Sequence, residues 1–363
     1  MSVESRLSAL RARLAAEAVE AIAITHVPNV RYATGILGVF DDEPAHVALV
    51  TAEDAVLFTD SRFVTAATLA AESTPWRVEL ASDGVSAAAC KALADTGAKG
   101  LALESTLSHG RFLAFAEKFG GEVVSADGWI ETLRAVKDPD EIAAIEAAQA
   151  LTDRAFDYLL ADVVRAGVTE REIALELEFY LRREGSEGVA FPPIVASGPN
   201  SALPHAVPGY RALARGDFVV LDFGARVGGY CSDMTRTVVV EAASEEQRAI
   251  YSAVLDANTA GASAVAAGKL GSEIDSAARD VIVSAGYGEF FGHGLGHGVG
   301  LEVHEAPGLG AKSTHPVPLG SVITIEPGIY VPGMGGVRIE DLAVVDAQGA
   351  RVLTRSTKDL LEV

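Results

Sequence analysis

Four carboxylates stand at the margins of apolar runs. Asp222 closes the run from Gly216 and Glu326 closes the run from Gly320, each six residues beyond its glycine. Asp233 precedes the run Thr235 to Val240, and Glu340 precedes Leu342 to Val345. Taken singly, each has a plain explanation: Asp222 could begin a turn before Gly224, and Asp233 could cap a bend through Thr235. As a set they predict more. Carboxylates crowded into one partly buried pocket repel one another and take up protons unless cations neutralise them. Two divalent ions balance four carboxylate charges, so a pair of metals is the simplest compensation.

A histidine-rich stretch, Phe291-Gly292-His293-Gly294-Leu295-Gly296-His297-Gly298-Val299-Gly300, offers an imidazole beside backbone that glycines let approach closely. A flexible polar loop would read the same way. No G-x-G-x-x-G or G-x-x-x-x-G-K pattern can be read here, which disfavours a phosphate loop. The stretch is not H-E-x-x-H either, which disfavours a helix-borne single-zinc site. Oxygen-dominated ligands with one imidazole suit manganese, cobalt or iron better than a thiolate zinc site. Cys231 is close to Asp233 in sequence, yet a small buried thiol is its expected role.

The elements that must position these residues form an internal duplication. His205-Ala206-Val207-Pro208-Gly209 matches His304-Glu305-Ala306-Pro307-Gly308, and the two acid-ended strands match as above. Helical patterns precede both units, at Glu170 to Arg183 and Glu273 to Ser284. Each half therefore reads as helix, strand, loop and strand. Two such halves facing each other bring the four acids together, and the duplication places His205 and His304 equivalently.

Ahead of this region the pattern alternates. A helix is predicted over Val3 to Ala18, with strands at Ala21 to Thr25, Ala45 to Thr51 and Ala55 to Thr59, and further strands near Leu101 and Val123. A small α/β domain ending near Trp129 follows from this. Asp138, Pro139 and Glu141 then cap a helix whose apolar face runs through Ile142, Ile145 and Leu151 into the second domain.

Bulk properties narrow the class. With 363 residues and 49% hydrophobic content the chain can build two cores. A net charge of -21, from 50 acidic and 29 basic residues, repels phosphate backbones and anionic lipids, so nucleic acid is excluded as a partner. No uncharged apolar run is long enough to span a bilayer, and the N-terminal helix lacks a signal peptide's apolar core. Two cysteines, Cys90 and Cys231, are too few for a disulfide framework. A cytoplasmic location is expected, with no membrane partner.

The segments Ser197 to His205, Asp222-Phe223-Gly224-Ala225, Gly229 to Thr237, Gly292 to Gly298, Val303-His304-Glu305, Ile325-Glu326-Pro327-Gly328 and Arg338-Ile339-Glu340-Asp341 resemble the motifs of the pita-bread metallopeptidases. Within that family the chain is most similar to the Xaa-Pro aminopeptidases and prolidases. Asn29 to Gly35 and Leu57 to Phe63 resemble the creatinase-type N-terminal domain that accompanies them. The resemblance implies an α/β N-terminal domain over residues 1–132 and, over 133–363, an α+β pita-bread catalytic domain with a pseudo-two-fold duplication. It implies that Asp222 chelates one metal, His297 and Glu326 the other, and that Asp233 and Glu340 bridge both. A hydroxide between the ions would be the nucleophile, with Glu326 as proton shuttle. His205 and His304 would bond the substrate carbonyl or oxyanion, and His293 would line the wall for the residue after the scissile bond. Arg338, part of the general family pattern, is counted with His293 as substrate-binding. Manganese is the expected metal, with cobalt, iron or zinc as alternatives, and a homodimer is expected.

Small peptides are the implied substrates, cleaved at the N-terminal Xaa-Pro bond. Several prolidases carry an arginine after the proline of the His-Glu-x-Pro segment, which pairs with a dipeptide's carboxylate. This chain has Gly308 there, leaving Lys312 or Arg338 as alternatives, so an aminopeptidase accepting longer peptides is expected ahead of a strict dipeptidase. Pita-bread binding proteins and creatinase lack the full ligand set that this chain retains.

Overall fold

The computed structural model describes residues 1–363, which divide into two compact units, Met1–Arg134 and Ala135–Val363. In the first unit the chain runs α1 (Val3–Ala16), β1 (Ala21–Ile24), α2 (Val27–Thr34), β2 (His46–Thr51), β3 (Ala55–Thr59), α3 (Val64–Ala71), β4 (Arg77–Leu80), α4 (Val85–Thr96), β5 (Gly100–Leu103), α5 (His109–Phe119), β6 (Glu122–Ser125) and α6 (Trp129–Arg134). One mixed sheet has the order β4-β3-β2-β1-β5-β6. Its central strands are buried on both faces, so they read as continuous apolar runs. Strand β4 was not legible in the sequence because it is a half-exposed edge strand with charges at Arg77 and Glu79. The Asn29 motif proves to be an internal brace: Glu104, buried, accepts from the Thr25 and His26 backbone N–H groups at 2.6 and 2.8 Å and from the Asn29 amide at 2.8 Å.

The second unit continues with α7 (Pro139–Tyr158), α8 (Glu170–Arg183), β7 (Ile194–Ser197), β8 (Phe218–Phe223), β9 (Arg226–Val227), β10 (Tyr230–Cys231), β11 (Met234–Val239), α9 (Glu245–Ala264), α10 (Gly271–Ser284), β12 (Gly296–Gly298), β13 (Glu305–Leu309), β14 (Val322–Ile325), β15 (Gly328–Val331), β16 (Gly335–Arg338), β17 (Asp341–Asp346) and β18 (Gly349–Val352). Two antiparallel sheets, β11-β8-β7 and β13-β12-β14-β17-β18, carry the duplicated strands. Each sheet has its own core. Leu151, Phe156, Ile173 and Leu177 of α7 and α8 pack on Val195, Val219 and Leu221, while Ile250, Val254, Ile274 and Ile282 of α9 and α10 pack on Ile323, Ile325 and Val345. Fully burying one such side chain contributes about 1.5–3 kcal/mol, so the sheets are held as rigid supports for what lies at their ends. Helix α7 begins with Asp138 and Glu141 in a reciprocal capping box, as its sequence predicts.

Candidate metal centre

The supports place the acids where strands start or stop. Asp222 sits in β8 opposite Thr235 of β11, Asp233 immediately precedes β11, Glu326 immediately follows β14, and Glu340 immediately precedes β17. His297 is the middle residue of β12. Its flanking glycines are required there: a Cβ on Gly296 would overlap the Thr324 carbonyl oxygen, and one on Gly298 that of Ala306. The close approach expected of this stretch is thus realised, with His297 between β13 and β14.

Asp233, His297 and Glu340 each present a ligand atom, all within 4.8 Å of one another. His297 Nε2 lies 3.2 Å from Glu326 Oε1 and 3.6 Å from Asp233 Oδ2. Asp222, Asp233 and Glu340 are buried, and one oxygen of Asp222 and one of Asp233, each Oδ1, have no hydrogen-bond partner. The electrostatics follow from that crowding. Burial first, then mutual repulsion with neighbouring carboxylates, pushes Asp233 and Glu340 well above the usual carboxylate range. Asp222 is also raised by burial, with Arg338 pulling the other way. Burial would raise Glu326 too, but the hydrogen bond and charge of His297 outweigh it and hold Glu326 down to about 2. His297 is raised in turn, Glu326 overcoming the effect of burial.

Without cations, then, this pocket makes two ion pairs, His297 with Glu326 and Arg338 with Asp222, and favours protons on Asp233 and Glu340. Unpartnered buried carboxylate oxygens, an imidazole and a surplus of negative charge are what divalent cations fit.

Supporting side chains fix the acids. Thr235 Oγ1 donates to Glu340 Oε2 at 2.7 Å and accepts from Arg338 Nε at 2.9 Å. Thr324 Oγ1 accepts from the His297 N–H at 3.0 Å and donates to Glu326 Oε1 at 3.1 Å. Arg338, expected to contact substrate, is 3% exposed, and its fork is committed to Asp222 Oδ2 at 2.5 Å and the Tyr330 hydroxyl at 2.7 Å. That engagement holds Asp222 in place, and Arg338 also lines the cleft. The roles of Thr235, Thr324 and Tyr330 were not assigned from the sequence. The two threonines stand two residues from an acid, at Asp233 and Glu326, which was the available signal; Tyr330 offered none.

The three other histidines expected at the site, His205, His293 and His304, line the same cleft, together with Phe191, Ile194 and Val303. His205 is exposed on the loop after β7. His304 precedes β13, its ring centroid 4.2 Å from that of His297. Burial and the nearby His297 lower the pKa of His304. His293 Nε2 lies 2.9 Å from the Tyr330 hydroxyl, and burial lowers the pKa of this imidazole as well.

Two facing sheets that deliver acids and an imidazole to one cleft define a pita-bread metallohydrolase. The chain belongs to metallopeptidase family M24, whose sequence profile matches residues 143–347; residues 6–136 match the creatinase/prolidase N-terminal domain. An Xaa-Pro dipeptidase from Pyrococcus furiosus is 43% identical over 262 residues, 72% of this chain and 75% of that protein. Among solved structures, an Xaa-Pro dipeptidase from Bacillus anthracis superposes with a TM-score of 0.94 at 38% identity over 100% of both chains. An X-Pro aminopeptidase from Thermotoga maritima does so with a TM-score of 0.87 at 37% identity, over 99% of this chain and 100% of that one. The protein is accordingly a metal-dependent peptidase, and no helix is long and apolar enough to cross a membrane.

Proposed function

We propose that this peptidase is an Xaa-Pro dipeptidase with two divalent metal ions, manganese first among the candidates. The observation that carries the metal-dependent chemistry is the pocket of Asp222, Asp233, Glu340, Glu326 and His297, which keeps unpartnered carboxylate oxygens and a surplus of acids over Arg338 and His297 that divalent cations would balance. The substrate is inferred from likeness to the dipeptidases of Pyrococcus furiosus and Bacillus anthracis, which favours this reading over the aminopeptidase expected from the sequence.

Asp222 would hold one ion, His297 and Glu326 the other, with Asp233 and Glu340 shared. Bound cations supply charge compensation, polarisation of a carbonyl and acidification of water. Glu326 would accept the proton released as water attacks and pass it to the leaving amine. His304, whose depressed pKa favours a neutral ring carrying one N–H, donates to the substrate carbonyl together with His205. His293, oriented by Tyr330, forms the wall against which the proline ring packs. Arg338 acts through Asp222 by fixing its orientation.

A second reading, an aminopeptidase on longer peptides, is favoured by one feature: Gly308 presents no side chain to a dipeptide's carboxylate. Kinetics on Ala-Pro, Ala-Pro-Ala and Ala-Ala-Ala under identical manganese loading decide between them. A charge-assisted contact to that carboxylate is worth roughly 1.5–3 kcal/mol, about 10- to 150-fold in kcat/KM. A dipeptidase therefore prefers Ala-Pro by at least tenfold, whereas equal or better cleavage of Ala-Pro-Ala selects the aminopeptidase. Chelation should abolish activity and manganese or cobalt restore it; full activity in protein shown by elemental analysis to be metal-free ends both readings.

A further inference from the structure

Segment 291–295, which carries His293, lies between a short 3₁₀ turn and β12 and belongs to no sheet. Its backbone groups must be satisfied by other means. Two side chains of α10, four residues apart and so on one helix face, do this. Arg279 Nη1 donates to the Phe291 carbonyl at 2.9 Å and Nη2 to the His293 carbonyl at 2.7 Å. Its Nε and Nη2 also bond both oxygens of Asp275, at 2.8 and 2.9 Å, and Asp275 Oδ1 accepts the Leu295 N–H at 3.0 Å. Asp275 is fully buried, and the guanidinium lies 4.2 Å from the centroid of the Phe291 ring, which stands edge-on to His293.

The first half of the duplication has no counterpart to this pair. Helices α8 and α10 are both 14 residues long, and aligning their starts sets Ala174 against Asp275 and Glu178 against Arg279. Glu178 makes only a surface pair with Arg182. In the first half the buried Glu170 of α8 holds loop backbone instead, accepting the Ser197 and Gly209 N–H groups at 2.8 and 3.0 Å. The pair of Asp275 and Arg279, which holds carbonyls as well as an N–H, occurs only where α10 faces the glycine-histidine segment.

We infer that Asp275 and Arg279 are positioning residues that clamp the 291–295 backbone and thereby set the wall formed by His293. The inference rests on the proposal that His293 packs against the residue after the scissile bond. Arg279→Lys tests it, because a lysine ammonium keeps the charge but cannot hold two carbonyls and a bidentate carboxylate at once. Metal stoichiometry, kinetics on Ala-Pro and hydrogen exchange of the manganese-loaded protein are measured together. Faster exchange confined to 290–297, unchanged metal content, and a rise in KM on the order of 10- to 100-fold with kcat changed far less are expected. Unchanged exchange in this segment overturns the clamp, and so does faster exchange with KM and kcat both unchanged. If the wild-type enzyme does not cleave Ala-Pro, the functional reading falls, yet the exchange data still decide the clamp. Should Arg279→Lys fail to fold, Asp275→Asn, which keeps an acceptor for Leu295 but loses the charge that holds Arg279, carries the same comparison.

Discussion

Replacing Thr324 by valine removes one hydroxyl and preserves the shape of the side chain, so its effect isolates two hydrogen bonds. Thr324 is fully buried, and no solvent replaces what is lost. Its bond to Glu326 has an ionised acceptor, a type that contributes about 1.5–3 kcal/mol. The bond from the His297 N–H is neutral, but once broken it leaves a donor stranded between strands, at about 1–3 kcal/mol of folding stability. Only the first cost falls directly on a metal-facing carboxylate, and it corresponds to about 10- to 150-fold in an equilibrium constant. Loss of comparable outer hydrogen bonds weakens metal sites by about 10- to 100-fold. If the two proposed metal sites are occupied, Thr324→Val should therefore bind one divalent ion, with manganese as the probe, about 10- to 100-fold more weakly while the other site keeps its affinity. Thr324→Ser, which restores the hydroxyl, should stay within about threefold of wild type. Competition with a fluorescent chelator measures both affinities. If Thr324→Val binds both ions as tightly as wild type, or if Thr324→Ser is equally impaired, the hydroxyl does not orient the ligands and the reasoning is wrong.

Other outcomes are equally specific. His205→Ala should retain its metal content and fold and lose on the order of 10²–10⁴ in kcat, as for an acid-base or oxyanion donor; stoichiometric metal loss in this variant would place His205 among the ligands instead. In the first unit His46 is fully buried between the rings of Phe40 and Phe63, and burial lowers its pKa to about 4 against the opposing pull of Asp41 and Asp60, with Arg31 and Arg62 reinforcing the shift. Because the folded value lies below the unfolded one, stability is complete above pH 6.5 and is lost as pH falls towards 4, in all about 3 kcal/mol. Trp76 and Trp129 both lie in this unit, so tryptophan fluorescence in urea reports its unfolding; His46→Gln should flatten the loss between pH 7 and pH 5, and an unchanged pH dependence would refute the assignment.

What the sequence settled by itself was periodicity and local chemistry. Apolar runs ending in Asp222 and Glu326, the repeated His-x-x-Pro-Gly and the cap at Asp138 are local patterns, and local hydrogen bonding and strand alternation suffice to read them. Glycines around His297 announced a close approach for the same reason. Edge strand β4 escaped because pairing with β3, rather than its own half-exposed charged residues, holds it in the sheet. The tertiary structure decided which charge compensates which. Arg338 is expected from the sequence to bind substrate, and only folding shows that it pairs with Asp222, 116 residues away in sequence and 2.5 Å away in space. Tyr330 becomes a link between Arg338 and His293 only when the β15 and β16 hairpin closes. Contacts of this kind join residues whose separation along the chain carries no period. Only the packing of the two sheets, each on its own helices, fixes the distances on which electrostatics and metal affinity depend.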